Sequence, residues 1–298
     1  MHLSMHNWMR AEPIEVTIRR LAKFDYGSIE IGGEPEQYDT GEVRGLLDEH
    51  DIECWGAVTL MLEDRNLVAG KEADRAASVQ YVKDCVTMTK ELDGQVVDVV
   101  PGTVGKIEPD ASPEEEWEWA VEGMKEIYDH AQREGIRIAI EPINRFETYF
   151  ITRADQALEL AKETGPDCGV ALDTFHMNIE ERDPYQAIRT AGDRLYDFHV
   201  ADTNRMPCGH GHWDWPKVIE TLESVGYDGA LTTEFVAPID RTPVDPYPEA
   251  TETEAVEITE EQKKFIEDHG SGLLSEQFYS WLVEENAKTL LPLIQNTE

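Results

Sequence analysis

Short apolar runs rich in β-branched residues alternate along the chain with longer segments whose apolar positions recur every three or four residues. This alternation of strand-like and helix-like patterns is typical of parallel βα units. Eight strands are predicted, near residues 2–7, 28–32, 52–60, 95–101, 136–141, 169–173, 195–200 and 230–235. Eight such units in 298 residues predict the α/β fold class, in the form of one (β/α)8 TIM barrel.

The segment after the fourth predicted strand carries a full set of helix signals. Ser112 is a predicted N-cap, Pro113 suits the first helical position, and Glu115 completes a capping box. Apolar residues then recur at helical spacing until Gly135, which is predicted to end the helix. Later helices are predicted to begin in the same way, at Asp183-Pro184 and Asp214-Trp215-Pro216.

Residues 237–258 interrupt the alternation with a long connection that is rich in proline and acidic residues. Connections of this length without regular structure are usually functional loops or disordered insertions. We expect this one to lie near the barrel mouth or at a subunit contact. A last amphipathic helix from about Ser275 is predicted to close the barrel, so residues 1–298 are interpreted as a single domain.

The chain is strongly acidic, with 62 aspartates and glutamates against 26 lysines and arginines and a formal net charge of -36. The acids are spread along the whole chain, so salt should relieve their mutual repulsion. This composition predicts a halophilic protein that is adapted to high intracellular salt. The chain also lacks the basic stripe that binding to a nucleic acid backbone requires, which argues against nucleic acid as a partner.

The remaining bulk features argue against a membrane partner. No apolar run approaches the ~20 residues of a membrane span, and the first residues lack a basic start followed by an apolar stretch. We therefore expect a cytoplasmic protein. Four scattered cysteines form no C-x-x-C pair and are expected to be reduced structural thiols, at Cys54, Cys85, Cys168 and Cys208.

Each of the last four predicted strands ends in a side chain that can bind a metal ion: Glu141, Asp173, His199 and Glu234. In a (β/α)8 barrel the carboxyl ends of the strands meet at the active-site face. Three carboxylates that converge without a counter-charge would repel one another and retain protons, and a divalent cation resolves this conflict. Two glutamates, one aspartate and one histidine favour Mn²⁺, with Co²⁺ or Mg²⁺ as alternatives, over a structural Zn²⁺.

The segments around these residues are more specific than the residues themselves. EPINRFE spans Glu141–Glu147, DTFHMNIEE spans Asp173–Glu181, and HVADTNR spans His199–Arg205, followed by a P-x-G-x-G pattern at 207–211. These segments resemble the D-tagatose/D-psicose (ketose) 3-epimerases of the xylose-isomerase-like TIM barrel superfamily, which contains sugar phosphate isomerases and epimerases. The resemblance is strongest over about residues 136–235.

The resemblance implies C3 epimerisation of a ketose through a cis-enediolate. The four predicted ligands would hold the metal ion, and two of them, Glu141 and Glu234, would also be the acid/base pair. Three further side chains would bind substrate oxygens around C1 to C3: Glu147, His176 and Arg205. We also expect a homo-oligomer, either a dimer or a tetramer.

The chemistry of the reaction agrees with this assignment. A proton beside a ketone is weakly acidic, and a metal ion that chelates the carbonyl and the neighbouring hydroxyl stabilises the enediolate. Epimerisation needs an acid/base group on each face of that plane. The sequence shows no Gly-rich phosphate cradle, so a free sugar is favoured. Two features depart from the family pattern, namely Asp202, where glutamate is expected, and the imidazoles of His210 and His212.

Other activities remain open on the sequence. An aldose–ketose isomerase of the hydroxypyruvate isomerase type and an inosose dehydratase share the same ligand set. A metal-dependent endonuclease of the apurinic type is less favoured, because the third and fourth strands end without the additional histidines of its multi-zinc site and because the charge opposes DNA binding. A silent binding protein on the same scaffold is the remaining alternative.

Overall fold

The computed structural model describes residues 1–238, residue 244 and residues 274–295. Its eight strands are β1 His2–Met5, β2 Ser28–Gly33, β3 Glu53–Thr59, β4 Val96–Val99, β5 Arg137–Ile140, β6 Cys168–Asp173, β7 Leu195–Val200 and β8 Ala230–Thr233. The α-helices among the described residues are α1 Ile14–Lys23, α2 Thr40–His50, α3 Glu72–Glu91, α4 Pro113–Glu134, α5 Ala154–Thr164, α6 Thr174–Glu180, α7 Pro184–Ala191, α8 Trp215–Ser224 and α9 Glu276–Ile294.

The eight strands form one parallel sheet that curls into a nearly closed barrel. Their order is β1-β8-β7-β6-β5-β4-β3-β2, and an isolated parallel bridge between His6 and Glu30 joins the two outer strands. The predicted (β/α)8 barrel is therefore confirmed. Several strands are shorter than predicted, because apolar residues such as Val100 and Phe235 continue into the core after the last ladder hydrogen bond.

The helix signals read from the sequence are present in the structure. The Ser112 hydroxyl accepts a hydrogen bond from the Glu115 amide, and the Glu115 carboxylate accepts one from the Ser112 amide, which is a complete capping box. Gly135 ends α4 in the left-handed region, with a φ of 75°. Asp183 and Asp214 cap α7 and α8 as predicted.

The predicted closing helix is α9, which begins after its N-cap Ser275. Asn286 on this helix is fully buried and donates hydrogen bonds to the Tyr26 hydroxyl at 3.1 Å and the Thr233 hydroxyl at 2.8 Å. Its carbonyl oxygen accepts a hydrogen bond from the Cys208 amide at 3.0 Å. One buried amide thus ties α9 to the end of β8 and to the loop after β7.

Two expectations concern regions that the structure describes only in part. The predicted acidic connection at 237–258 lies almost entirely outside the described residues, so its position and the single-domain interpretation of residues 1–298 stay predictions. Within the described ranges, none of the helices combines the length and the apolar character that crossing a bilayer demands.

The interior of the barrel changes character from bottom to top. Near the amino ends of the strands it holds an apolar layer of Trp55, Val96, Ala139, Ala171 and Ala230. Because side chains alternate along a strand, the residues two positions further along face the same interior. In this barrel, three of the strands carry carboxylates further along, where bulky apolar side chains usually fill the interior: Glu30, Asp98 and Asp197.

Candidate metal centre and active site

Four predicted ligands meet at the carboxyl ends of β5 to β8. Glu141 directly follows β5, Asp173 is the last residue of β6, His199 lies near the end of β7, and Glu234 directly follows β8. Each offers one ligand atom, and these atoms all lie within 4.8 Å of one another. All four side chains are buried, and we call them the upper cluster.

His199 stands at the centre of the upper cluster. Its Nδ1 atom lies 3.2 Å from Glu141 Oε1 and 3.2 Å from Glu234 Oε2. Its Nε2 atom points away from them and lies 3.0 Å from Asp98 Oδ2. The nitrogen available to a cation in the upper cluster is therefore Nδ1.

Asp173 combines a structural role with an available oxygen atom. It is the N-cap of α6, and its Oδ1 atom accepts hydrogen bonds from the amides of Phe175 at 2.5 Å and His176 at 2.9 Å. Its Oδ2 atom is buried and has no hydrogen-bond partner among the described residues. Burial, together with the negative charge of Glu234, raises the pKa of Asp173 well above its ordinary value. A cation at Oδ2 would supply the missing partner, so the residues fit a metal ion.

The two glutamates of the upper cluster have unequal electrostatic surroundings. Burial raises the pKa of Glu141, and the charge of Glu234 adds to this effect. Burial opposes ionisation of Glu234 too, but Arg205 and hydrogen bonds from His199 and His6 hold its pKa well below the ordinary value. One carboxyl group is thus disposed to keep a proton and the other to accept one, which is a common feature of acid/base pairs.

His176 lies beside the upper cluster as a neutral donor. Burial and the positive charge of Arg205 lower its pKa to about 3. Its Nδ1 atom accepts hydrogen bonds from the Asn144 backbone amide at 3.2 Å and from the Asn144 side chain at 2.9 Å. We assign the proton of the neutral ring to Nε2 for this reason. Asn144 also donates to Glu147 Oε1 at 2.6 Å, so it positions two of the predicted substrate-binding side chains.

Arg205 lies on the opposite side of Glu234 from His199 and has one donor to spare. Its backbone occupies the left-handed region, with a φ of 58°. Nη2 pairs with Glu234 Oε1, and the guanidinium lies 4.6 Å from the centre of the Phe175 ring. Nη1 is buried and has no hydrogen-bond partner among the described residues. That atom can donate to an oxygen of a bound ligand.

Several residues of the site carried no assigned role in the sequence analysis. Asn144 lies within a recognised segment, but its bond to a ring 32 positions away is a tertiary contact. His6 Nε2 lies 3.5 Å from Glu234 Oε2, and its ring centre lies 4.7 Å from that of His199. Below them, Glu30, Asp98 and Asp197 surround the far side of His199 and form what we call the lower cluster. The sequence signal for this group is weak: Glu30 in β2 and Asp98 in β4 each stand between two apolar residues.

Asp202, which departs from the family pattern, has a structural function. Its carboxylate accepts hydrogen bonds from four donors, the amides of Thr203, Gly209 and Trp213 and the indole of Trp215. A β-carbon at Gly211 would lie 2.1 Å from Asp202 Oδ1, so the loop requires glycine there. The two neighbouring histidines, His210 and His212, belong to none of the candidate metal groups among the described residues.

Comparison with known proteins places this chain in a family. A family model described as xylose isomerase-like TIM barrel matches residues 18–269. The D-psicose 3-epimerase of Agrobacterium fabrum is 33% identical over 224 residues, which are 73% of this chain and 77% of that protein. The D-psicose 3-epimerase of Ruminiclostridium cellulolyticum is 38% identical over 120 residues. This alignment spans 40% of this chain and less than half, 41%, of that relative.

A solved structure shows the same fold over nearly the whole chain. D-psicose 3-epimerase from Clostridium cellulolyticum H10, crystallised with D-tagatose, superposes with a TM-score of 0.81 at 22% identity and covers 99% of both chains. Together, the family match, the barrel and the upper cluster show that the chain belongs to the xylose isomerase-like TIM barrel family and, within it, to the ketose 3-epimerase group.

Proposed function

We propose that this protein is an isomerase that epimerises a free ketose at C3. The observation that carries the proposal is that Glu141 and Glu234 both lie 3.2 Å from the same nitrogen of His199. Two carboxylates from the ends of β5 and β8 thus approach one centre, and exchange of a proton between the two faces of a carbon requires two such groups. Relatives that carry the name D-psicose 3-epimerase support this choice of reaction.

The upper cluster would hold one divalent ion, and we propose Mn²⁺. Two glutamates, an aspartate and an imidazole form a mixed oxygen and nitrogen ligand set, which suits Mn²⁺, Co²⁺ or Mg²⁺. When bound, the ion would polarise the carbonyl of the sugar. Glu141, Asp173, His199 and Glu234 would be its ligands.

Three side chains would orient the sugar. The Nε2 proton of His176 and the free Nη1 of Arg205 are donors that would bind oxygens on which negative charge develops. Glu147, fixed by Asn144, would accept a hydrogen bond from a hydroxyl near C1 to C3. These contacts would hold the C3 hydrogen within reach of the two glutamates.

The glutamates would then carry out the proton exchange. One takes the C3 proton from one face of the sugar, and the other returns a proton to the opposite face of the planar cis-enediolate. Because the reaction is reversible, each glutamate serves as base in one direction and as acid in the other. Glu234 has a lowered pKa and Glu141 a raised one. This difference supports Glu234 as the base in the reaction that starts from the resting protein.

The test is incorporation of deuterium from solvent. The Mn²⁺-loaded protein is incubated at high salt in deuterated water with separate ketoses, aldoses and inososes, and the products are read by NMR. We expect deuterium at C3 of a ketose together with its C3 epimer. Isomerisation of an aldose or dehydration of an inosose, without C3 exchange in any ketose, would instead identify one of the alternative reactions.

Further properties of the whole protein complete the proposal. The net charge of -36 supports adaptation to high salt, because repulsion among exposed acids is screened there. A homo-oligomer, dimer or tetramer, and a cytoplasmic location stay predictions from the sequence. The strongly acidic surface also supports a small sugar, rather than nucleic acid, as the partner.

A further inference from the structure

The lower cluster surrounds the face of His199 that the upper cluster leaves free. His199 Nε2 lies 3.0 Å from Asp98 Oδ2, 3.4 Å from Glu30 Oε2 and 3.9 Å from Asp197 Oδ2. The side chains of all four residues are 0% exposed. They come from β2, β4 and β7, so the barrel itself brings the three carboxylates together.

His199 Nε2, which carries at most one proton, faces oxygen atoms of both Glu30 and Asp98. Among the described residues, both carboxylate oxygens of Glu30 and both of Asp98 are buried without a hydrogen bond of standard geometry. Asp197 is better satisfied, since it accepts from the Trp55 indole at 2.9 Å and from the Phe198 amide at 2.6 Å. Buried carboxylate oxygens without a donor or a cation are costly.

Two buried hydroxyl groups face the barrel interior at the level of His199. Ser4 Oγ and Thr232 Oγ1 are fully buried, and neither has a hydrogen-bond partner among the described residues. Thr232 pairs in register with both Ser4 and His199. Paired residues of a parallel sheet face the same side, so both hydroxyls face the barrel interior beside the His199 ring. They add two oxygen atoms that lack a partner.

Around His199, buried carboxyl groups outnumber the positive charges that one ion would supply. This step rests on the proposed function, which places a single divalent ion in the upper cluster. The ion and Arg205 together supply three positive charges. Against them stand six buried carboxyl groups: Glu30, Asp98, Glu141, Asp173, Asp197 and Glu234.

We propose that Glu30, Asp98 and Asp197, together with His199 Nε2, form a second cation site that takes a hard divalent ion such as Mg²⁺ or Mn²⁺. Ligands at about 2.1 Å from one ion lie about 3.0 Å apart in an octahedron and about 3.4 Å apart in a tetrahedron. The separations of 3.0 Å to Asp98 and 3.4 Å to Glu30 match these spacings, and the 3.9 Å to Asp197 is longer. Because a neutral imidazole has only one free lone pair, His199 would serve both sites as an imidazolate, and its second proton would be released to solvent when the second ion binds. The hydroxyls of Ser4 and Thr232 are buried without a partner among the described residues.

The experiment counts bound ions. The full chain is stripped with a chelator, titrated calorimetrically with Mn²⁺ in molar KCl, and the retained metal is measured by mass spectrometry. Molar salt suppresses weak binding to the acidic surface. We expect two tightly held ions per chain in the wild type and one in Asp98→Asn. The matched control Asp48→Asn, at an exposed position on α2, should retain two.

Electron paramagnetic resonance provides a second readout. Two Mn²⁺ ions that share one imidazole should give a coupled spectrum, which Asp98→Asn converts to that of an isolated ion. Asp197→Asn gives the same test if Asp98→Asn does not fold. One ion per chain in the wild type overturns the proposal and assigns protons to the lower cluster, and two ions in both variants overturn it as well. One ion with C3 exchange refutes only the second site, whereas two ions without C3 exchange refute only the proposed reaction.

Discussion

The upper and lower clusters share His199 but differ in where their carboxylates stand on the strands. Glu141, Asp173 and Glu234 lie at or just beyond strand ends, where loops bring further donors to them. The Asp173 carboxylate accepts two backbone amides, and Glu234 pairs with Arg205. The lower carboxylates lie within the strands, so only other strands can supply their partners. Groups at the open end can therefore contact a substrate, whereas groups inside the barrel can hold an ion or a proton.

The two clusters also differ in how their acids ionise. In the upper cluster, Glu141 has a raised pKa and Glu234 a lowered one. In the lower cluster, burial together with the charge of Glu30 raises the pKa of Asp98 to about 7 and that of Asp197 well above its ordinary value. The upper cluster thus contains both a proton donor and a proton acceptor. Burial opposes ionisation of Glu30, but the charges of His6 and His199 lower its pKa to about 2. The lower cluster thus holds one ionised carboxylate beside two acids that tend to keep their protons.

The largest expected effect separates the clusters by catalysis. Glu234→Gln should reduce C3 proton exchange by about 10³-fold or more, because it removes one of the two proton carriers. Asp98→Asn should reduce exchange by only about 10–100-fold, because it acts through the orientation of His199. Exchange rates are measured at saturating Mn²⁺, and Glu118→Gln on the exposed side of α4 serves as the control. Equal losses in the first two variants would show that the clusters act as one unit.

The same contrast explains what the sequence could reveal. The upper residues each terminate an apolar run, and barrels place their chemistry at strand ends, so Glu141, Asp173, His199 and Glu234 were predictable. Asp98 stands between Val97 and Val99. Alternation of this kind usually places the acid in solvent and the valines in the core. Here the valines pack against the helices and the acid faces the barrel interior, which only the closed sheet determines.

The roles of His176 and Asp202 likewise depend on tertiary contacts that the sequence does not reveal. His176 was predicted from its segment, yet its tautomer depends on Asn144, which lies in a different loop. The departure at Asp202 was visible in the sequence, but its function was not. The four hydrogen bonds that it accepts come from positions that the loop brings together only when folded.

The second effect concerns the coupling between pH and bound cations. Asp98 has a pKa of about 7 in the cation-free fold but an ordinary value near 3.8 when unfolded. A raised carboxyl pKa means that the fold binds the proton more tightly, so this group's stabilising contribution is lost as pH rises from about 4 through about 7. Cations replace such protons, and their stabilising effect should therefore grow over the same range.

Thermal unfolding with and without Mn²⁺ measures this coupling. Each proton displaced changes the binding free energy by about 1.4 kcal/mol per pH unit. The Mn²⁺-induced rise in Tm should therefore be larger at pH 7.5 than at pH 5.5, by roughly 5 °C for a chain of this size. Asp98→Asn should reduce the difference. A rise in Tm that is independent of pH would mean that the clusters are already ionised without the ion.

A smaller effect tests the support of the substrate-binding residues. Asn144→Asp keeps the size of the side chain but removes the side-chain donor to His176 and Glu147, while the backbone amide still donates to His176. It should lower kcat/KM by about 10-fold. Asn144→Ala should cause a similar loss, because the donor and not the volume matters. Separate kcat and KM values are measured on the ketose with the highest activity. A loss in the alanine variant alone would attribute the effect to packing.

The smallest expected difference contrasts buried acids with surface acids. Molar KCl should raise the Tm of the wild type, because it screens repulsion among exposed carboxylates at a net charge of -36. The lower cluster is fully buried, and salt screens buried charges much less. Molar KCl should therefore raise the free energy of unfolding of cation-free wild type and of Asp98→Asn by the same amount, to within about 0.5 kcal/mol. The increase in Tm from low to molar KCl measures this amount. A much smaller increase in the variant would show that the lower cluster takes up K⁺ and that salt acts through the barrel interior as well as the surface.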